Sequence, residues 1–256
     1  MFSFGYDGWG SSTEQLVKAV DAAEKVRGFL PPVVVDVGIR RQGRAKGFVG
    51  TAFEDKLPRS RHHWMQDLGN ERIRSGTGPP TQIRRPAAAA ELLDVAVQAD
   101  KEGRRVIFFC SCQWPRNEEG KRCHRTAVTT LLLASARRRG ILLEVIEWPG
   151  GKPQLLDLDV SAEFYNSVRH GRKSVPLSNP RPLGKFSGLP WGSVVTLRSE
   201  DQSLHRIAGP LKWKRDQWVL PVFDLFRDRE GDLGAYQRKA DSLRRSMGLT
   251  ARESGG

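Results

Sequence analysis

Short apolar runs recur along the chain, each passing into a polar loop and then into a stretch with helical periodicity. Phe2 and Phe4 alternate with Ser3 and lead into Gly5-Tyr6-Asp7-Gly8, which predicts a strand ending in a tight loop. Leu16, Val17, Val20 and Ala23 then share one helical face, with Ser11, Ser12 or Thr13 placed to cap it. Pro31 and Pro32 break the chain before the β-branched run 33–37, read as a strand buried on both faces of a parallel sheet. Residues 53–57 predict a short helix. Residues 75–86, rich in Gly, Pro, Thr and Arg, predict a mobile loop. Residues 87–102 form a long helical pattern with Leu92, Leu93, Val95, Ala96 and Ala99 toward the core.

The densest information lies between Arg104 and Trp148. An apolar strand pattern at 106–109 is followed by Cys110 and Cys112, the polar loop 113–122, and then Cys123-His124-Arg125. Residues 126–139 are helical in pattern, with Arg137, Arg138 and Arg139 where the helix dipole is negative and Gly140 at the left-handed stop. A second apolar run spans 141–148. Strand, loop, helix and strand imply a right-handed crossover between parallel neighbours.

Beyond Trp148 the period changes. Residues 155–160 predict an edge strand, and 165–181, with Pro176 and Pro180, a linker. Residues 193–198, 205–208 and 213–220 alternate, the last with a turn at 215–217, and 236–247 reads as a basic helix. The predicted fold class is α/β: a mainly parallel sheet flanked by helices in a Rossmann-like three-layer arrangement, with a small basic C-terminal β-plus-helix appendage. The expected divisions are an α/β domain over 1–160, a linker over 161–185, and the appendage over 186–250.

Charge narrows the partners. The chain has 42 basic and 29 acidic residues, a formal net charge of +13. Such a surplus favours phosphate-bearing partners (DNA or RNA, or a nucleotide), although a basic solvated surface accounts for it equally. Hydrophobic content is 38%, and no apolar run reaches the length of a membrane span, so no membrane partner is expected. Residues 1–10 lack the basic start and apolar core of a signal peptide, and three cysteines make no disulfide framework, so a cytoplasmic location is expected.

The predicted topology puts all three cysteines at the carboxyl end of a strand or the amino end of a helix, where ligands of open parallel sheets bind. Helix amides attract anions and lower a thiol's pKa, which makes Cys123, flanked by Arg122, His124 and Arg125, the best candidate thiolate. Three uses compete for these residues. A zinc site meets two objections: Cys110 and Cys112 are tightly spaced, and adjacent Cys123 and His124 do not readily share an ion. No metal and no cofactor is therefore expected. A thiol nucleophile would use Cys123 or Cys110, with Asp36 or His124 as acid or base. The third use is packing, the partly buried cysteines serving as small apolar residues with Arg125 paired inside the fold.

Asp36 ends its strand before a loop carrying Arg40, Arg41, Arg44 and Lys46, which reads either as part of a site or as a carboxylate holding the loop. His62 and His63 are adjacent and read as a surface pair. Arg72, Arg74, Arg84 and Arg85 read as a lid over an anion or as a solvated loop. Trp191, Trp213 and Trp218 lie among Arg198, Arg206, Lys212 and Lys214, either as a stacking platform for single strands or as the core of a small β unit.

Gly5-Tyr6-x-Gly8, the strand end Val34-Val35-Asp36-Val37, Leu68-Gly69, and Cys110 followed by Cys123-His124-Arg125 resemble the family called domain of unknown function 488. The resemblance covers roughly residues 2–148 and implies an α/β fold with a site at these motifs. The chain departs from the family pattern at Gly38, where Arg is usual, at Cys112, where an acidic residue is common, and at Asn70, which replaces a second Gly. A looser likeness of fold logic is to rhodanese-type sulfurtransferases, in which Cys110 would carry a persulfide.

Together these readings predict a pocket with catalytic Cys123, Cys110, Asp36 and His124. Gly5, Tyr6, Gly8, Arg40, Arg41 and Arg125 would bind the ligand, Arg40 and Arg125 as an anion clamp. Arg44, Lys46, Arg84, Arg85, Lys212 and Lys214 would meet nucleic acid. The expected function is an enzyme acting on nucleic acid or nucleotides. A non-catalytic nucleic-acid-binding module and a sulfurtransferase-like thiol enzyme are the alternatives.

Overall fold

The unbroken valine run of residues 33–35 is buried on both sides of a sheet, as its lack of polar alternation requires. A computed structural model describes residues 1–6, 9–41, 45–76, 80–112, 123–181, 183–224 and 233–246. The chain divides into two compact units, Met1–Trp148 and Pro149–Gly256. In the first, strands β1 (Phe2–Gly5), β2 (Leu30–Asp36), β3 (His62–Trp64), β4 (Arg104–Cys110) and β5 (Ile146–Glu147) form one sheet in the order β3-β2-β4-β1-β5. Every pairing in it is parallel. Helix α1 (Thr13–Val26) joins β1 to β2, α2 (Glu71–Ser75) and α3 (Ala88–Lys101) lie between β3 and β4, and α4 (His124–Arg138) joins β4 to β5. This is the expected α/β class with a parallel sheet and flanking helices.

Side chains alternate across the strands, so the two faces carry different partners. Val33, Val35, Val106 and Phe108 share a core with Leu92, Leu93 and Ala96 of α3 and Val128 and Leu132 of α4. Phe4, Val34, Ile107 and Phe109 meet Leu16 and Val20 of α1 around a small apolar cavity. The connection from β1 runs to β2, on one side of the central β4-β1 pair, while that from β4 runs to β5 on the other. The sheet order therefore reverses between the carboxyl ends of β1 and β4, where open α/β sheets leave a crevice.

Several local expectations shift. Pro31 and Pro32 lie inside β2, where the pairing with β4 slips between Leu30 and Val33, because proline cannot donate to the ladder. The run 141–148 contributes only two residues to the sheet, since β5 pairs only with Phe2 and Ser3 of β1 while Ile141, Leu143 and Val145 pack inward on the core. Gly140 takes the expected left-handed stop with φ of +64°. Residues 80–86 are tied down rather than loose: Asn70 bridges to Ile83, and the Arg84 and Arg85 amides donate to Gly69 and Asp67 carbonyls.

Gly69 shows why that tie is demanding. A Cβ there would lie 2.5 Å from the Ile39 nitrogen and 2.6 Å from the Ile39 Cβ. The clash is with backbone, so a side-chain swing cannot relieve it. We expect Gly69→Ala to cost about 1–3 kcal/mol, read as a lower urea midpoint at unchanged slope. An unchanged midpoint would show that residues 38–40 give way freely.

The second unit is fuller than the appendage expected. Strands β6 (Leu155–Asp159), β7 (Ser174–Leu177), β8 (Ser193–Ser199), β9 (Gln202–Ala208), β10 (Lys212–Lys214) and β11 (Gln217–Phe223) build a six-stranded sheet. Helices α5 (Ala162–Arg169), α6 (Leu183–Ser187) and α7 (Leu233–Ser246) accompany it. Two corrections follow for the divisions. The strand at 155–159 pairs with β8, not with the first sheet, which moves the boundary back to residue 148. The supposed linker 161–185 holds α5 and β7, because Tyr165, Val168 and Val175 are buried in the second unit's own core with Leu197, Leu204 and Leu220. The β10–β11 turn is as expected: Arg215 and Asp216 both take positive φ, 49° and 56°, as a tight two-residue hairpin requires. No helix among the described residues is long and apolar enough to cross a membrane.

Candidate functional site

Cys110 is the last residue of β4, held by its pairing with Gly5 and by the Tyr6 amide, which donates to the Cys110 carbonyl at 3.1 Å. Two residues later the Cys112 amide turns back to donate to Cys110 Sγ at 3.4 Å. Cys123 caps the amino end of α4 in extended conformation, and its carbonyl accepts the Thr126 and Ala127 amides. These three backbone placements bring Cys110 Sγ and Cys123 Sγ to 3.5 Å, and all three sulfurs within 4.8 Å of one another. Cys110 and Cys123 are buried; Cys112 is half-buried and free of disulfide like the others.

Arg125 lies beneath this cluster, fully buried. Its Nη1 donates to Glu147 Oε1 at 2.5 Å and its Nη2 to the Cys112 carbonyl at 3.1 Å, while Ser3 Oγ donates to Glu147 Oε2 at 2.6 Å. Burial works against the guanidinium charge, but the Glu147 carboxylate and the neighbouring sulfurs outweigh it and keep Arg125 ionised. The predicted anion clamp is thus corrected on one side: Arg125 is spent inside the fold on Glu147 and on positioning Cys112.

The thiols do not share protons evenly. Hydrogen bonds from Cys110 and Cys112 hold Cys123 far below the usual thiol range against the opposing effect of burial, helped by Arg125 and His124. Burial pushes Cys110 well up, with the neighbouring thiols adding to it. At Cys112 the bond to Cys110 pulls down, yet the bond to Cys123 and burial leave it raised. Of the three thiols, Cys123 at the helix end is therefore the one whose ionisation its neighbours favour.

Two further polar groups with displaced proton affinity stand nearby in the topology. Burial lifts Asp36, at the end of β2, to about 6, against the Gly38 amide that donates to its Oδ1 at 2.7 Å and against Arg41. Burial lowers His124, whose ring the Val37 backbone holds, so its imidazole is neutral at pH 7. His124 Nε2 is buried and has no hydrogen-bond partner among the described residues.

The chain matches no family model, no curated protein and no solved structure. What the site can do therefore rests on its own geometry. It brings Gly5, Cys110, Cys112, Cys123, His124 and Arg125 to the paired ends of β1 and β4, with Asp36 one strand away. Tyr6 is placed otherwise: its ring is buried and stacks on Phe48 at 4.0 Å, with Phe109 edge-on at 5.8 Å, so it builds the aromatic core under the loop. Arg41 pairs with Glu54 at 2.7 Å and covers the Trp64 ring, which holds its loop rather than a ligand. Arg40 is exposed. Gly8 and Arg44 lie outside the described residues.

The nucleic-acid candidates separate in the same way. Arg84 faces Asp67 and Glu71, and Arg85 pairs with Asp67 and Glu91, both at 2.7 Å, so neither arginine is a lid poised over an anion. Lys46 and Lys214 are exposed and Lys212 half-buried. Trp191 is buried beside Phe223, as a core residue, whereas Trp213 and Trp218 are half-buried and meet edge-on at 5.1 Å across the hairpin. Glu147 and Ser3 were not anticipated. The signal for Glu147 is an acid set directly between Ile146 and Trp148, one of two acids in the apolar run 141–148 and the one that needs a buried partner.

Proposed function

We propose that the chain is a cysteine-dependent enzyme of Rossmann-like three-layer type that acts on nucleic acid or nucleotides, with Cys123 as nucleophile. The observation that carries this reading is the position of the Cys123 sulfur: at the amino end of α4, 3.5 Å from a second thiol, with Arg125 below it. Displaced proton affinities at Asp36 and His124 support it, because groups tuned away from their ordinary values cluster where chemistry is done. Cys123 would attack an electrophilic atom of the substrate, the leaving group taking its proton from the carboxylic acid form of Asp36. The neutral imidazole of His124 would accept a proton from the water that resolves the adduct. The net charge of +13 supports a polyanionic substrate. The likeness to the domain of unknown function 488 family, through Cys110 and Cys123-His124-Arg125, supports the same placing of the site.

The 3.5 Å approach of Cys110 to Cys123 also favours a second reading, sulfur transfer. There the carrier would be Cys123 rather than Cys110, whose thiol burial keeps protonated. The Cys123 thiolate would take the outer sulfur of a persulfide donor, releasing the donor's thiolate.

Alkylation of the intact chain by iodoacetamide at neutral pH, followed at each cysteine by mass spectrometry, tests both readings. Cys123 is expected to react at least about tenfold faster than the other two thiols, although Cys112 is the more exposed. Short DNA, RNA or a nucleotide should protect it, and the protecting ligand names the substrate class. Protection by a persulfide donor alone selects sulfur transfer. Three uniformly slow thiols with salt-dependent binding to DNA or RNA would sink the enzyme and leave a binding module.

A further inference from the structure

We propose that Cys110, Cys112 and Cys123 together form a binding site for a single thiophilic d10 metal ion, of the Cu(I) or Zn(II) class, held by three sulfurs. The spacing is the first argument. With metal–sulfur bonds of about 2.3 Å, three sulfurs around one ion stand roughly 3.8–4.0 Å apart. Here one pair lies at 3.5 Å and all three fall within 4.8 Å, so changes of at most about 1 Å in their separations bring them onto one ion. Three sulfur atoms of a chain that has only three cysteines converge from a strand end, the following turn and a helix start.

The surroundings are the second argument. Soft thiolates select d10 ions over hard cations such as magnesium or calcium. Cys110 and Cys123 are buried while Cys112 is half-buried, which gives an ion one side of entry. Arg125 is not a ligand, but its guanidinium offsets the charge that three thiolates would place there, and its bond to the Cys112 carbonyl fixes the least buried of the three ligands. Glu147 and Ser3 in turn fix Arg125. This is the layered support that metal sites need behind their ligands.

The geometry also removes the objections raised by the spacing in sequence. Cys110 and Cys112 share one ion because the Cys112 amide folds back toward Cys110 Sγ, so a two-residue step turns rather than extends. His124 is not required, since the three sulfurs converge without it. Each thiol that ligates gives up its proton to water, so binding releases as many protons as sulfurs are newly deprotonated, with no change of oxidation state.

The test uses the full chain, reduced and kept free of oxygen, with Zn(II), Cd(II) and Cu(I) added separately. One ion should bind per chain in equilibrium dialysis, and its X-ray absorption spectrum should count three sulfur neighbours. Three-coordinate Cu(I) or four-coordinate Zn(II) or Cd(II) with three sulfurs and one lighter atom would each bear out the site and identify the ion it prefers. Cys112→Ser, which changes the least buried of the three, should weaken binding at least about 10–100-fold while far-UV circular dichroism stays unchanged. Less than one ion per chain, fewer than three sulfur neighbours, or unchanged affinity in Cys112→Ser would overturn the proposal. The sulfur count is made on the unaltered protein, so misfolding of a variant does not affect it. The site stands apart from the nucleophile reading: fast alkylation of Cys123 without ion binding removes the metal and keeps the nucleophile, and ion binding with three slow thiols does the reverse.

Discussion

Arg125→Met is expected to destabilise the protein by about 3–5 kcal/mol, the cost of breaking a buried ion pair by removing one partner. Methionine fills much of the same volume, so packing changes least and electrostatics dominate. Glu147 would keep the Ser3 hydroxyl but lose the guanidinium at 2.5 Å, and burial would then push its carboxyl up until it takes a proton. The Cys112 carbonyl loses its donor as well. Urea unfolding measures the loss. The double variant Arg125→Met with Glu147→Met should recover most of it, because two apolar side chains leave no uncompensated charge. A loss below about 1 kcal/mol in the single variant would place Arg125 with ordinary surface pairs. The outcome also bears on the site, since the same guanidinium supports Cys123 and orders the turn that carries Cys112.

Asp36→Asn is expected to act in the opposite direction, and only above mildly acidic pH. The folded carboxyl titrates near 6 because burial disfavours its charge, against an ordinary value of 3.8. Between those values the folded protein holds a proton that the unfolded chain has lost. Stability therefore falls as pH rises through that window, by about 3 kcal/mol for a displacement of roughly two pKa units. Asparagine keeps an oxygen for the Gly38 amide and carries no charge to desolvate. The variant should match the wild type near pH 4 and exceed it by up to about 3 kcal/mol above pH 7. Subtracting the two urea titrations removes every other titrating group. A difference that does not change with pH would mean that the Asp36 carboxyl is solvated. If Asp36 is also the general acid, the stabilised variant will be inactive, the usual exchange at a strained site.

Much of the first unit is legible in the pattern of apolar residues. The valines at 33–35, the helix faces at Leu16 and Leu92, and the strand before Cys110 each follow from a local period that one neighbouring layer satisfies. β3 is not legible, because His62, His63 and Trp64 become a strand only by lying beside β2. Nor is the sorting of strands 155–159 and 174–177 into a second sheet, since Pro176 reads locally as a break and the partners are distant in sequence. The arginines mislead for a related reason. Sequence shows how many there are and where, but not that Arg41, Arg84, Arg85 and Arg125 are already matched by Glu54, Asp67, Glu91 and Glu147. Ion pairing is a property of through-space distance, so an anion clamp cannot be read from basic residues alone.

By itself, then, the order of residues determined the α/β class, the parallel core and the placing of Cys123 at a helix start. Hydrophobic period and the position of Cys123 at a helix start are local properties, and local sterics and amides enforce them. Only the tertiary structure decided that three cysteines from β4, its following turn and α4 meet within 4.8 Å, and that Arg125 turns inward to Glu147. The pair with Glu147 depends on β1 lying between β4 and β5, a pairing in which residues more than a hundred positions apart become neighbours, as Phe2 does with Ile107 and Ile146.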